Sequence, residues 1–131
     1  MKQHGTLNRQ LSWTIASMGH TDAIVVADAG LPIPDSTERI DLALREGVPG
    51  FLETVKTVLE DLKVERAVVA AETLERSPEL HGKLTALLGD IPVDSVSHEE
   101  LKDRTSSARA VVRTGEFTPF ANVILYSGVV F

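Results

Sequence analysis

The chain has 131 residues, of which 43% are hydrophobic and 24% charged, a formal net charge of -6, and no cysteine. That length suits one globular domain spanning residues 1–131 with a core that needs no staples. An acidic balance with scattered basic residues argues against nucleic acid or an anionic membrane as partner. The missing thiols exclude disulfides, thiolate metal sites and thiol nucleophiles.

The first residues lead into no apolar run long enough for a signal peptide, and no segment approaches the length of a membrane span. A cytoplasmic protein is therefore expected. Leu7, Leu11, Ile15 and Met18 recur at helical spacing and predict a helix over residues 7–18, ended by Gly19. Residues 23–27 are uniformly apolar and β-branched, as a strand covered on both faces would be. Pro32 and Pro34 keep the next segment extended, because each proline disfavours helical backbone in the residue before it. Residues 39–44 alternate polar and apolar, which predicts a half-exposed strand.

Phe51, Leu52, Val55, Val58, Leu59 and Leu62 define a second helix over residues 50–62, and residues 67–71 a second buried strand. Ser77-Pro78-Glu79 reads as a helix start with a capping hydroxyl, followed by Leu80, Leu84, Leu87 and Leu88 on one face. Residues 92–96 form a strand, and Ser97-His98-Glu99-Glu100 has capping-box spacing that sets His98 at the mouth of a short helix. Strands at 110–112 and 123–126 complete the set, and the apolar C-terminal residues 128–131 point to burial in the core or against another subunit. Strands alternating with helices predict a layered α/β single domain with a largely parallel sheet.

In such sheets ligands bind outside the carboxyl ends of the strands. Asp28, Glu72 and His98 each follow a strand, and residues 113–122 form a long polar loop after another. His20 precedes its strand, so within one copy of the chain it falls at the opposite edge of the sheet from Asp28. Imidazole titrates nearest neutral pH of all side chains, which makes a loop histidine a candidate proton carrier. Structural roles compete with each of these: His20 solvated, Asp28 satisfying turn amides before Gly30, and Asn122 a strand-edge residue. In the same way His98 serves only as a helix-start residue, and Arg113 with Glu116 form a surface ion pair. No histidine pair has the spacing of a helical zinc site, and no phosphate-binding glycine loop or nucleophile elbow is present.

The blocks His4-Gly5, Gly19-His20-Thr21-Asp22, Ala27-Asp28-Ala29-Gly30-Leu31-Pro32, Ser97-His98-Glu99-Glu100 and Arg113-Thr114-Gly115-Glu116, with Ala121-Asn122, occur in this order. Together they resemble the D-ribose pyranase family, which is related to the L-fucose mutarotases. The resemblance implies a three-layer α/β/α fold and interconversion of the pyranose and furanose forms of D-ribose in the cytoplasm, without a cofactor. It implies His20 as proton donor and Asp28, His98, Phe120, Ala121 and Asn122 as sugar contacts. It also implies a homodecamer of two stacked pentamers with sites at subunit boundaries, an arrangement that lets His20 of one copy meet Asp28 of another. Phe120 stands where the commoner family pattern has tyrosine, which removes one potential hydrogen bond to the sugar. Two alternatives remain open at this level: a mutarotase for L-fucose or another monosaccharide, and a non-catalytic sugar-binding protein associated with uptake. Asp28 either accepts a sugar hydroxyl or orients a histidine.

Overall fold

The computed structural model describes residues 1–131. In chain order the elements are α1 (Arg9–Ser17), β1 (Ala23–Ala27), β2 (Glu38–Asp41), α2 (Phe51–Asp61), β3 (Val64–Ala70), α3 (Ala71–Arg76) and α4 (Pro78–Leu88). They continue with β4 (Val93–Val96), α5 (His98–Arg104), a single 3-10 turn at Thr105–Ser107, β5 (Ala110–Arg113) and β6 (Val123–Ser127).

One six-stranded sheet runs in the order β2-β5-β1-β6-β3-β4. β1 and β2 flank β5 in parallel, and β3 runs parallel to β4. β6 lies between β1 and β3 and is antiparallel to both, so five strands share one direction and β6 opposes them. The largely parallel sheet expected from the strand–helix alternation is therefore observed, with a reversed strand at its centre. No helix is long and apolar enough to cross a membrane.

Side-chain alternation along the strands divides the core in two. Ile24 and Val26 of β1 face a cluster built with Leu11, Phe51, Val55, Val58, Leu80 and Leu84, from α1, α2 and α4. Ala23, Val25 and Ala27 face the other way, against Leu31 and Leu101 of α5. All five β1 residues are buried, which is why the strand reads as an uninterrupted apolar run. β2 sits at the sheet edge and buries only Ile40, consistent with its alternating sequence.

Helix boundaries follow local capping chemistry. Asn8 accepts from the Leu11 amide to begin α1, two residues inside the apolar periodicity. Ser97 accepts from the Glu100 amide as the capping-box spacing predicts, but the Glu100 carboxylate pairs with Arg104 at 2.6 Å rather than returning to the cap. Ser77 departs from expectation. Its hydroxyl makes no capping bond to α4 and instead donates to the Pro119 carbonyl at 2.8 Å. The second buried strand is longer toward its start than the sequence indicates, and α3 begins directly at Ala71 with no intervening loop. The C-terminal residues are exposed in the single chain, with Phe131 and Val130 projecting freely.

The loop between β5 and β6 is tied down at two places. Gly115 packs so tightly that an added Cβ would lie 2.4 Å from the Arg45 carbonyl oxygen and 2.6 Å from that of Val48. Arg113 and Glu116 do not form the surface ion pair that stood as the structural alternative for them. Arg113 reaches Asp41 at 3.2 Å and the Ala29 carbonyl at 3.0 Å, because β2 and β5 are neighbours in the sheet. Glu116 instead accepts from the Phe51 amide at 3.1 Å and from the Thr118 hydroxyl at 2.9 Å. It thereby caps α2, whose own Gly50 has no side chain to do so, and places a negative charge at that helix's positive end. Burial acts to raise the Glu116 pKa, but the hydrogen bonds from Phe51, Thr118 and Phe117 outweigh it and hold the carboxyl below its ordinary value.

Gly115→Ala is expected to destabilise the fold by about 1–3 kcal/mol, since the obstructing atoms are backbone; chemical denaturation measures it, and an unchanged midpoint would contradict the packing. Because its folded pKa is lowered, Glu116 contributes stability that is complete above the ordinary value of 4.5. That contribution disappears as pH falls through the lowered folded value. Glu116→Gln should accordingly lose about 1 kcal/mol at neutral pH and show a shallower loss of thermal midpoint on acidification than the parent chain.

Candidate functional site

The carboxyl ends of β1 and β4 and the amino end of β6 meet at one edge of the sheet. Asp28 extends β1 there, and Asn122 precedes β6. The two residues bond reciprocally: the Asp28 amide donates to Asn122 Oδ1 at 2.9 Å, and Asn122 Nδ2 donates to Asp28 Oδ2 at 3.1 Å. The other Asp28 oxygen accepts from the Gly30 amide at 2.9 Å, so the turn-satisfying role foreseen for this aspartate is also present. Asn122 and Ala121 are fully buried, whereas Asp28 is partly open to solvent. A cleft of about 420 Å³ opens beside Asp28, bordered by Gly30, Arg113, Glu116 and Phe117.

Phe120 and His98 stand together at this edge. Their rings meet edge to face with centroids 5.0 Å apart. His98 is the first residue of α5, and its amide donates to Glu72 Oε2 at 2.9 Å. Its Nδ1 is buried without a hydrogen-bond partner. A polar ring atom in that condition is a ready contact for a ligand hydroxyl. Phe120 adopts a left-handed backbone conformation, φ 62°, and its carbonyl accepts from the Thr73 hydroxyl at 2.8 Å and the Asn122 amide at 2.9 Å.

His20 lies at the other edge, as its place before β1 requires. β1 alone spans about 17 Å at roughly 3.3 Å per residue, so no single copy brings His20 to Asp28. The Gly19–Asp22 turn that carries it is well defined: Asp22 accepts from the Gly19 amide at 2.8 Å and pairs with Arg109 at 3.1 Å. The Gly19 amide first, then the Arg109 guanidinium, hold the Asp22 carboxyl below its usual range. The Thr21 amide donates to Ser127 and the Ser127 amide to Asp22, fastening the turn to the end of β6. His20 Nε2 sits 3.1 and 3.0 Å from the two oxygens of Glu65, which orient the ring. A hollow of about 460 Å³ surrounds it, shared with Met18, Lys63 and the apolar C-terminal residues.

Of the six residues singled out in the sequence, five converge and His20 stands apart. Sequence reasoning missed Glu65 and Thr73. Both lie on or next to β3, within stretches that read only as strand or surface, and nothing local marks them. A larger hollow of about 620 Å³ at the start of α4 carries Arg76, Lys83 and Glu79 but none of the six. No group of three or more histidine or carboxylate side chains is placed to hold a metal ion.

Against known proteins, the model of the RbsD / FucU transport protein family matches residues 1–130. The D-ribose pyranase of Coprothermobacter proteolyticus is 56% identical over 131 residues, covering 100% of both chains. That of Clostridium perfringens is 53% identical over the same span. Among solved structures, Bacillus subtilis RbsD complexed with D-ribose superposes with a TM-score of 0.97 at 47% identity, covering 100% of each chain. The fucose mutarotase of Streptococcus pneumoniae in complex with L-fucose shares the fold at a TM-score of 0.82 and 23% identity, over 95% of each chain. With the family match spanning nearly every residue and such relatives along the full length, the chain belongs to the RbsD / FucU family.

Proposed function

We propose that this chain is a D-ribose pyranase, interconverting the pyranose and furanose forms of D-ribose as an intramolecular isomerase. The observation that carries the reading is full-length similarity, at 47% identity, to a Bacillus subtilis protein whose structure was solved with D-ribose. The geometry is suited to it. Asp28 presents a carboxylate held in fixed orientation by the buried Asn122 amide, the His98 Nδ1 has no partner within the chain, and the Phe120 ring offers an apolar surface.

Ring opening needs a proton on the ring oxygen as its bond to C1 breaks, while the anomeric hydroxyl loses a proton and C1 becomes an aldehyde. Reclosure through the 4-hydroxyl instead of the 5-hydroxyl yields the furanose, with the transfers reversed. No redox step or covalent intermediate is required. His20 is the proton donor, Asp28, His98 and Asn122 hold the sugar hydroxyls, and Phe120 and Ala121 complete the wall. The histidine is supplied by a neighbouring copy of the chain in a cytoplasmic homodecamer of two stacked pentamers. Exposed apolar side chains flank both halves of the site, which supports this arrangement: Val130 (86% exposed) and Phe131 beside His20, and Phe117 beside Asp28, with Leu44 (78%) next to Phe117. A contact between unlike surfaces of successive copies generates a ring when the rotation between copies closes.

Exchange NMR of D-ribose with and without protein tests the activity directly; unchanged exchange at high protein concentration overturns it. L-fucose and galactose in parallel identify a broader mutarotase, and saturable binding without exchange identifies a non-catalytic sugar binder. His20→Ala is expected to lower exchange by about 10²–10⁴-fold while the light-scattering mass of the assembly stays unchanged. Full activity in that variant removes His20 from the chemistry.

A further inference from the structure

Three hydroxyl or carboxylate groups from one short stretch of chain hold the sugar-facing residues in place. The stretch is α3 together with its C-cap Ser77, and none of its residues lines the Asp28 cleft. Glu72 Oε2 accepts from the His98 amide at 2.9 Å, satisfying a helix-start donor that has no partner within α5. Thr73, which is fully buried, donates its hydroxyl to the Phe120 carbonyl at 2.8 Å. Ser77, also buried, donates to the Pro119 carbonyl at 2.8 Å.

Phe120 needs such support. A non-glycine residue at φ 62° lies in a backbone region that L side chains visit rarely, at a cost of order 1–3 kcal/mol. The phenyl ring of Phe120 has no hydrogen-bonding atom with which to offset that cost. The offset comes from outside: Thr73 and the Asn122 amide converge on the Phe120 carbonyl, and His98 meets its ring. The same conformation turns the chain into β6 with Asn122 facing Asp28.

We infer that α3 is the positioning element of the sugar site, with Thr73 and Glu72 setting the Phe120–His98 pair from behind through one carbonyl and one amide. Neither residue touches the substrate. Glu72 fixes the entry of α5, and hence where the imidazole of His98 stands. Thr73 fixes the left-handed turn, and hence where the Phe120 ring and the Asn122 amide stand. Both sit on consecutive positions of a helix that follows β3 without a loop, so the two anchors move with the sheet rather than with the surface. The inference rests on the ribose reading for its kinetic consequence, but its structural part does not.

The test uses the full chain with Thr73→Val, Thr73→Ser and Glu72→Ala. In D-ribose exchange, Thr73→Val should raise KM about tenfold, the worth of one buried hydrogen bond, with kcat within about twofold because the proton donor is elsewhere. Thr73→Ser, which keeps the hydroxyl, should restore KM. The second readout needs no sugar: the ring protons of His98 in histidine-labelled protein feel the Phe120 ring current, and should shift in Thr73→Val and Glu72→Ala but not in Thr73→Ser. Folded variants with unchanged KM and unchanged His98 shifts overturn the inference, as does a loss of thermal stability alone. Shifted His98 protons in a protein that never accelerates ribose exchange uphold the positioning role and refute the ribose reading.

Discussion

β6 enters the sheet against the direction of its two neighbours, and the reciprocal pair between Asp28 and Asn122 closes its start against the end of β1. Ligand-binding groups in a parallel sheet gather at the carboxyl ends of the strands. A strand running the other way delivers its beginning to that same edge. Phe120, Ala121 and Asn122 thus arrive beside Asp28 and His98 although they precede their strand, while Ser127 at the strand's end reaches the turn that carries His20. Reversal of this one strand assembles the Asp28 edge and anchors the turn that carries His20.

The same geometry separates two sets of polar groups within one copy of the chain. Groups suited to holding hydroxyls stand on one edge, and the candidate proton carrier stands on the other, beyond the length of β1. Each half is locally rigid: Asp22, Arg109 and Ser127 fix the His20 turn, and the Gly115 contact and Glu116 cap fix the β5–β6 loop. A site divided between neighbours needs both halves stiff, because proton transfer demands hydrogen-bond distance between groups carried by different chains. Exposed apolar side chains stand beside each set, Phe131 next to His20 and Phe117 next to Asp28.

Polar groups that look idle in the sequence are employed at a distance. Glu116, spaced like a partner for Arg113, instead caps a helix more than sixty residues earlier in the chain. Ser77 leaves its own helix uncapped and holds the loop leading to Phe120. Glu72 closes the helix that begins at His98. In each case a buried or half-buried donor is satisfied by an acceptor brought close only by sheet order, and local sequence carries no trace of that order.

By itself the sequence determined the strands and most helices, because burial on two faces forces uninterrupted apolar runs such as residues 23–27 and amphipathic helices force their own periodicity. It also placed His20 before a strand and Asp28 after it, and so their separation within one copy. It did not reveal α3, whose six residues carry too short a pattern to distinguish from the end of β3. Nor did it reveal the direction of β6, since an apolar strand reads the same for either sense of pairing. Glu65 beside His20 and Thr73 beneath Phe120 belonged to the tertiary structure alone. Hydrogen bonds between residues far apart in the chain depend on which strands are neighbours, and periodicity, being local, holds no information about neighbours.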